Sequence, residues 1–398
     1  MMTEAQKLQD FPAGSDPLAE TPEDESAETS TRERGDGEVA VASQWKLTWW
    51  SFKRHKLAMA GAVVTLLLYL MVIFAGFLAP YAKSYYSPEH AYAPPQALQV
   101  VDAEGNWGLH VHPQVAEQDP ETLQLTWTTD ETATTEVGFF VRGDEYTLLG
   151  FITADRHLFG PTDPTSQEPV YLLGADKNGH DILSRIIHGS VVSMTIGLVG
   201  VAISLIIAII LGGLSGLLGG FTDTIIQRVI EFLMSLPAIP LWMALAAAVP
   251  ATWSPLERYF AIIVILSLIG WTGLAREVRG KFMSVREEEY ITAARIDGAS
   301  RGRLIGRHML PQFTSHIIAG LSLSIPAMIL AETSLSWLGL GLQAPVVSWG
   351  VLLQEAQNVR VITTAPWIMI PGLAVVIAVL ALNFFGDGLR DAADPYKN

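Results

Sequence analysis

The sequence predicts an all-α membrane protein of six transmembrane helices, with a small β-containing insertion after the first. Three observations carry that reading. Half of the 398 residues are hydrophobic and only 16% are charged, too apolar a balance for an ordinary soluble domain. Apolar runs alternate with polar segments, and the runs are long enough at ~1.5 Å per residue to cross a ~30 Å hydrocarbon core. Lysines and arginines gather in particular loops, which separates an inner from an outer side. The net charge of −15 is concentrated in acidic residues of the first forty positions and of Glu89 to Asp181. There is no cysteine, which excludes a disulfide framework, a thiolate metal site and a catalytic thiol.

Residues 1–44 read as a disordered acidic cytoplasmic tail rather than a signal peptide. Between Thr3 and Val39 the chain is rich in Glu, Asp, Ser, Thr, Pro and Gly and poor in bulky apolar residues. Residues 45–80 form an interfacial segment and the first span. Lys46, Lys53, Arg54 and Lys56 among Trp45, Trp49 and Trp50 mark a cytoplasmic interface, and the span follows over Leu57 to Leu78, closed by Pro80.

Residues 81–171 make a polar insertion with no segment able to span. Strand-like alternation over 123–127, 137–141 and 146–152, interrupted at Gly143-Asp144, predicts a β-rich unit. Its excess of acid residues places it outside, as a cover over the outer mouth or a contact for a binding protein, the cover being the preferred reading. Residues 172–398 supply a five-helix core. Asp181 and Arg185 stand one helical turn apart and predict a capped, ion-paired helix start at the outer interface. His180 and Asp181 are too few for a metal site, so no metal is expected.

The second span is placed over Ser190 to Leu218. Gly212, Gly216 and Gly220 recur every fourth residue there, a pattern for close helix packing. The third covers about Ile225 to Ala248 and contains Pro237 and Pro240, and the fourth runs from about Phe260 to Leu274. The fifth, about Ser315 to Leu340, is unusually polar. Glu332, Ser334 and Ser324 are its candidates for a translocation pathway, since an ionisable residue at membrane depth usually faces protein or water; a carboxylate reaching the outer interface is the alternative for Glu332. The sixth covers about Trp367 to Phe385, leaving both termini inside.

Between the fourth and fifth spans lies the densest basic run, with Arg276, Arg279, Lys281, Arg286, Arg295, Arg301, Arg303 and Arg307. Inside it, residues 286–312 read as a helix–turn–helix. Tyr290, Ala293, Ala294 and Ile296 fall near helical spacing, Gly298 can end the first helix, Ser300 can cap the second and Pro311 can end it. Periodicity alone leaves two readings open: an amphipathic linker at the headgroups, or a thin helical face that docks into a partner. Positive-inside topology accounts for the charges, so no nucleic acid is expected.

Four ordered blocks resemble a known family. They are LLGADKNGHDILSRIIHG at 172–189, WTGLAREVRGKFMSVREEEYITAARIDGAS at 271–300, LAETSLSWLGLGLQAPVVSWGVLL at 330–353 and PGLAVVIAVLALNFFGDGLRDAADP at 371–395. They are similar to the C-type inner-membrane permeases of dipeptide, oligopeptide and nickel ATP-binding-cassette importers. That resemblance implies a type I importer fold in a bacterial inner membrane and peptide cargo, with nickel chelates or oligosaccharides as alternatives. It implies as partners a second permease subunit, two cytoplasmic ATPases, an extracytoplasmic binding protein and the lipid bilayer. It makes 286–312 the coupling loop, with Tyr290, Ala293, Ala294, Asp297, Gly298, Ala299 and Ser300 at the ATPase. The sequence departs from the family pattern at His180, where Arg is common, at Thr292 for the usual Glu, and at Ala344 for Pro.

Nothing in the chain reads as an enzyme or as a cofactor site. The nearest phosphate-loop likeness, GLAREVRGK at 273–281, has its glycines too far apart and Phe282 where a Ser or Thr would hold magnesium. No Ser-His-Asp triad or His-Glu-x-x-His helix can be singled out. A secondary transporter, the rival reading, should show inverted repeats and several buried ionisable residues, whereas Glu332 stands as the single candidate at depth.

Overall fold

The computed structural model describes residues 44–101, 107–118, 120, 125–148, 150–163, 168–250 and 252–393. All of the expected acidic tail except Gln44 lies outside them. The chain divides into two units, 1–50 and 51–398. Of the first, the described residues are helical, and Lys46 Nζ stands 4.7 Å over the Trp50 ring, a cation–aromatic pair of the kind found at membrane interfaces.

Helices α1 (Gln44–Arg54), α2 (Lys56–Ile73) and α3 (Ala75–Leu78) lead to the insertion. The core that follows consists of α4 (Ile182–Leu218), α5 (Gly220–Ser235), α6 (Ala238–Ala247), α7 (Pro255–Val285), α8 (Glu289–Ile296) and α9 (Arg301–Arg303). It continues through α10 (Thr314–Trp337), α11 (Trp349–Leu353), α12 (Val359–Thr364) and α13 (Ile370–Ala393). Among the described residues five helices are long and apolar enough to cross a membrane, or six if the bent pair α5–α6 is one span. That pair is where structure and expectation part. Pro237 has no N–H to donate and stands as the N-cap of α6, so the expected third span is two helices bent by 87°.

Long α4 and α7 pack together where side chains are smallest. A Cβ on Gly212 would come within 2.5 Å of the Ala275 carbonyl, and one on Gly216 within 2.8 Å of the Arg279 carbonyl, so backbones approach as closely as glycine permits. Gly220 is not part of that seam; it starts α5 with φ +54 and nothing near its missing Cβ. Gly61 plays the same part between α2 and α13, against the Ala381 carbonyl. The main core lies among α4, α7 and α10, with Ile196, Ile263, Leu266 and Leu335 at or below 1% exposure.

The insertion holds a four-stranded antiparallel sheet, in the order β1 (Gln99–Val101), β2 (Trp107–Val111), β5 (Thr135–Leu148), β6 (Ile152–Pro161). A two-stranded ribbon, β3 (Gln114–Gln118) with β4 (Leu125–Thr129), stands beside it in the chain. Two strands expected over 137–141 and 146–152 are corrected: β5 runs unbroken through Gly143-Asp144, where the pairing with β6 only shifts register between Arg142 and Tyr146. The alternation misled because a bulge keeps the strand going while re-aiming its side chains. The insertion is tied to the end of α3 and to the start of α4 by hydrogen bonds. The buried His157 ring meets the Ala79 carbonyl at 2.6 Å, the Tyr81 N–H donates to the Ser184 hydroxyl at 3.1 Å, and the His188 ring meets the Tyr81 carbonyl at 3.1 Å.

Candidate functional site

At the basic end of the bundle, α8 begins after Glu288 and ends at Gly298, which adopts φ +81 as a left-handed helix terminator. The Ala299 N–H donates back to the Ala294 carbonyl at 3.0 Å. Ser300 then caps α9, its hydroxyl accepting from the Arg303 N–H. The second helix is short and irregular: three α-helical residues, a π-turn over Leu304–Met309 and a 3-10 turn over Leu310–Phe313 that runs into α10. Pro311 therefore does not end the element, as expected, but sits in the first turn of the next one, where its missing N–H leaves nothing unpaired.

Ile291, Leu304 and Met309 bury with Leu217, Val278, Phe282 and Phe313, which fastens the helix pair to the C-terminal ends of α4 and α7. The expected thin stripe is divided by this anchor. Ala294 and Ala299 turn partly inward against the cluster. Tyr290, Ala293, Asp297, Gly298 and Ser300 remain exposed, and so does Ile296 at 80%. Arg295, Arg301, Arg303 and Arg307 are exposed around them. The result is a small-residue surface with one apolar knob and a basic rim, held rigidly from behind. Ile291, the anchor itself, was missed in the sequence; its spacing of three from Ala294 was the available signal.

Toward the other end of α10, Glu332 is wholly buried. Three serines face it. Ser336 and Ser348 each donate to its Oε1 at 2.8 Å, and Ser193 of α4 donates to its Oε2 at 3.5 Å. Each hydroxyl also accepts from a backbone N–H: Leu342 to Ser336 at 2.9 Å, Val351 to Ser348 at 3.2 Å and Trp349 to Ser193 at 3.1 Å. One carboxylate thus orders three hydroxyls, and these order the segment 342–351. Ser324 and Ser334, expected with Glu332, are not brought to it; their hydroxyls donate to the Gly320 and Leu330 carbonyls of their own helix.

Above this network, Asp176 joins a histidine and an arginine. His180 Nδ1 lies 2.9 Å and Arg185 Nη1 2.8 Å from its Oδ2. Burial pushes the Asp176 carboxyl upward, but the His180 hydrogen bond and the Arg185 charge outweigh it and hold the group below the usual carboxylate range. The ion pair expected between Asp181 and Arg185 is corrected: Asp181 caps α4, accepting from the Ser184 N–H at 2.7 Å and its hydroxyl at 2.6 Å, so Arg185 is left to Asp176. His180 and Asp181 turn to different partners. A cleft of about 650 Å³ opens beside them, with Lys83, Tyr86, Lys177 and Glu355 on its walls.

Comparison with known proteins places these features in a family. Residues 180–397 match the binding-protein-dependent transport system inner membrane component family, and residues 43–95 match the N-terminal transmembrane domain of oligopeptide transport permease C. The chain is 36% identical over 231 residues to the oligopeptide transport system permease protein OppC of Haemophilus influenzae, covering 58% of this chain and 72% of that one. It is 32% identical over 252 residues to OppC of Bacillus subtilis, covering 63% and 77%. With the dipeptide transport system permease protein DppC of Bacillus subtilis it shares 37% identity over 227 residues, covering 56% and 68%. Among solved structures, a chain of the MetNI methionine ABC transporter in an inward-facing conformation aligns with TM-score 0.41 and 17% identity, covering 53% of this chain and 96% of that one.

Proposed function

We propose, since this chain belongs to the family of binding-protein-dependent transport system inner membrane components, that it is the permease subunit of an ATP-binding-cassette importer that moves peptides across the inner membrane. The observation that carries the reading is the match over 180–397, joined to relatives that are themselves oligopeptide and dipeptide permeases. On this reading α5–α6 is one broken span, giving six spans in a type I importer fold with both termini inside. The chain works beside a second permease, two cytoplasmic ATPases and an extracytoplasmic binding protein.

The α8–α9 pair is the point where force enters. ATP closes the ATPase dimer, and the exposed Tyr290, Ala293, Asp297, Gly298 and Ser300, with Ala294 and Ala299 behind them, are carried with it. Because Ile291, Leu304 and Met309 fix the pair to α4 and α7, a displacement there is passed to the long helices instead of being absorbed in a loose loop. The ATPases must bind the two permease states unequally, since only differential affinity shifts the equilibrium. Glu332, Ser324 and Ser334 belong to the helix nearest the pathway, with Glu332 setting the outer closure.

Reconstitution with the partner subunits tests this. Peptide should stimulate ATP hydrolysis and enter the vesicles; no stimulation by any peptide, with folded and assembled subunits, rejects the reading. Ala293→Trp should abolish uptake and leave membrane insertion intact, because the added ring occupies the docking surface without touching the anchor. Normal uptake by that variant rejects the docking role alone.

A further inference from the structure

The insertion contains an apolar tip that points the wrong way for a domain standing in water. Residues 146–148 and 150–154 form the end of the β5–β6 hairpin; the sequence 146–154, YTLLGFITA, carries no charge, whereas Asp144 and Glu145 on one side and Asp155 and Arg156 on the other flank it at once. Phe151 at the tip is 74% exposed and Ile152 is 46% exposed. Exposed apolar residues are common one at a time, but a charge-free, aromatic-ended stretch bounded by charge on both strands is a patch.

The hairpin packs on α3, and its end borders a groove walled by α2. Phe140 packs on Phe77 with ring centroids 6.0 Å apart, and a Cβ on Gly76 would meet the Tyr146 ring at 2.4 Å. Beyond Tyr146, Leu148 faces the span across an apolar groove of about 570 Å³ whose span wall runs from Leu78 back through Phe74 and Leu70 to Leu67. The last basic residue before the span is Lys56. From Leu57, a hydrocarbon core of ~30 Å at ~1.5 Å per residue is used up near Gly76. Tyr146 therefore sits at the outer boundary, where aromatic side chains with a polar tip are favoured. Its hydroxyl is satisfied by donating to the Arg156 carbonyl at 2.8 Å, on the charged side. Leu148, Phe151 and Ile152 lie below it.

We propose that the β5–β6 tip is a lipid-inserted anchor: Leu148, Phe151 and Ile152 seat in the outer leaflet beside the first span, with Tyr146 at the headgroups and Asp144, Glu145, Asp155 and Arg156 in water above. Continuity argues for lipid as the occupant. Leu66, Leu67, Leu70, Ile73 and Phe74 on α2 and just beyond it are 39–60% exposed, so the tip prolongs the surface by which the span itself meets acyl chains. The seat is shallow, at about 5–10 Å, the depth of interfacial amphipathic elements. There the outer edges of the hairpin, which among the described residues have no further strand partner along 146–148 and 152–154, still reach headgroups and water, as they could not at mid-bilayer. This anchor would hold the outer sheet against the bilayer while the core helices move.

The chain has no cysteine, so a single label can be placed at will. Phe151→Cys, carrying an environment-sensitive fluorophore, is reconstituted in the full chain with its partner subunits, and Trp107→Cys at the 84%-exposed start of β2 serves as the aqueous reference. The expected result is that lipids spin-labelled at shallow depth quench position 151 several-fold more than iodide does, with the order reversed at 107. Quenching of 151 by iodide as strongly as 107 would place the tip in water and overturn the proposal. Protection of 151 from both quenchers would mean that a partner subunit covers it, and would overturn it equally. Neither outcome touches the assignment of the chain as a peptide permease.

Discussion

The two ends of this bundle are built on opposite plans. At the basic end, α8 and α9 present Ala293, Asp297, Gly298 and Ser300 to the outside, and their side-chain hydrogen bonds are few and local, such as the Ser300 cap. At the opposite end, Glu332, Ser336, Ser348 and Trp349 are all fully buried. Ser193 joins them from α4, equally buried, and the Trp349 indole N–H donates to the Ile186 carbonyl at 3.0 Å. One end offers a surface and keeps its strength behind it; the other joins a carboxylate to three serines inside. The proposed mechanism needs that asymmetry: a driven end must accept a partner, and the remote end must close as a unit for motion at one to be felt at the other.

The largest effect expected from this contrast is at Glu332. Glu332→Ala removes the acceptor of three buried hydroxyls that themselves hold three backbone N–H groups. An unsatisfied buried polar group costs about 1–3 kcal/mol, so a loss of about 3 kcal/mol or more is expected from several together. Thermal unfolding of the purified chain in detergent should show a fall of many degrees, with Glu332→Gln intermediate because its amide still accepts. If Glu332→Ala unfolds like the parent chain, the outer end is not held by this network and the contrast fails.

A smaller effect is expected at Asp176, and its sign with pH is fixed. The folded carboxyl is held below its ordinary range, so its share of stability is full above about pH 4 and is lost as pH falls through the lower folded value. Asp176→Asn should lower the unfolding temperature near neutral pH, and the gap from the parent chain should narrow on acidification. A gap that widens below pH 4 would show that Asp176 is stabilised in some other way.

The sequence showed some of this and concealed the rest, for physical reasons. Apolar runs gave the long helices, because crossing a bilayer constrains length and composition locally. Gly298 and Ser300 were legible as helix terminator and cap because capping is also a local property. The Glu332 network was not legible. Its members come from Ser193, Glu332 and Ser336, and Ser348, and nothing in the chemistry of a serine announces which distant carboxylate it will meet. The same limit hid the partner of Arg185: spacing pointed to Asp181, but capping α4 takes that carboxylate first. The hairpin tip failed differently, since a window tuned to strand alternation reads 146–152 as one strand when the chain actually turns within it.

The smallest expected effect is at Ser300, and it separates anchoring from docking. The cap bond from the Arg303 N–H is long, 3.4 Å, and exposed, and the helix it starts is only three residues. Losing a cap usually costs about 0.5–2 kcal/mol, and this one belongs at the low end. Ile291, Leu304 and Met309 hold the pair without it, so Ser300→Ala should leave the unfolding temperature almost unchanged. Its uptake should also be nearly normal, since alanine is small enough to preserve the docking surface. Ser300→Trp should unfold like the parent chain as well, yet lose uptake. If the alanine variant unfolds as early as Glu332→Ala, the inner pair is not fixed from behind, and the division between a surface that receives and a closure that holds would have to be redrawn.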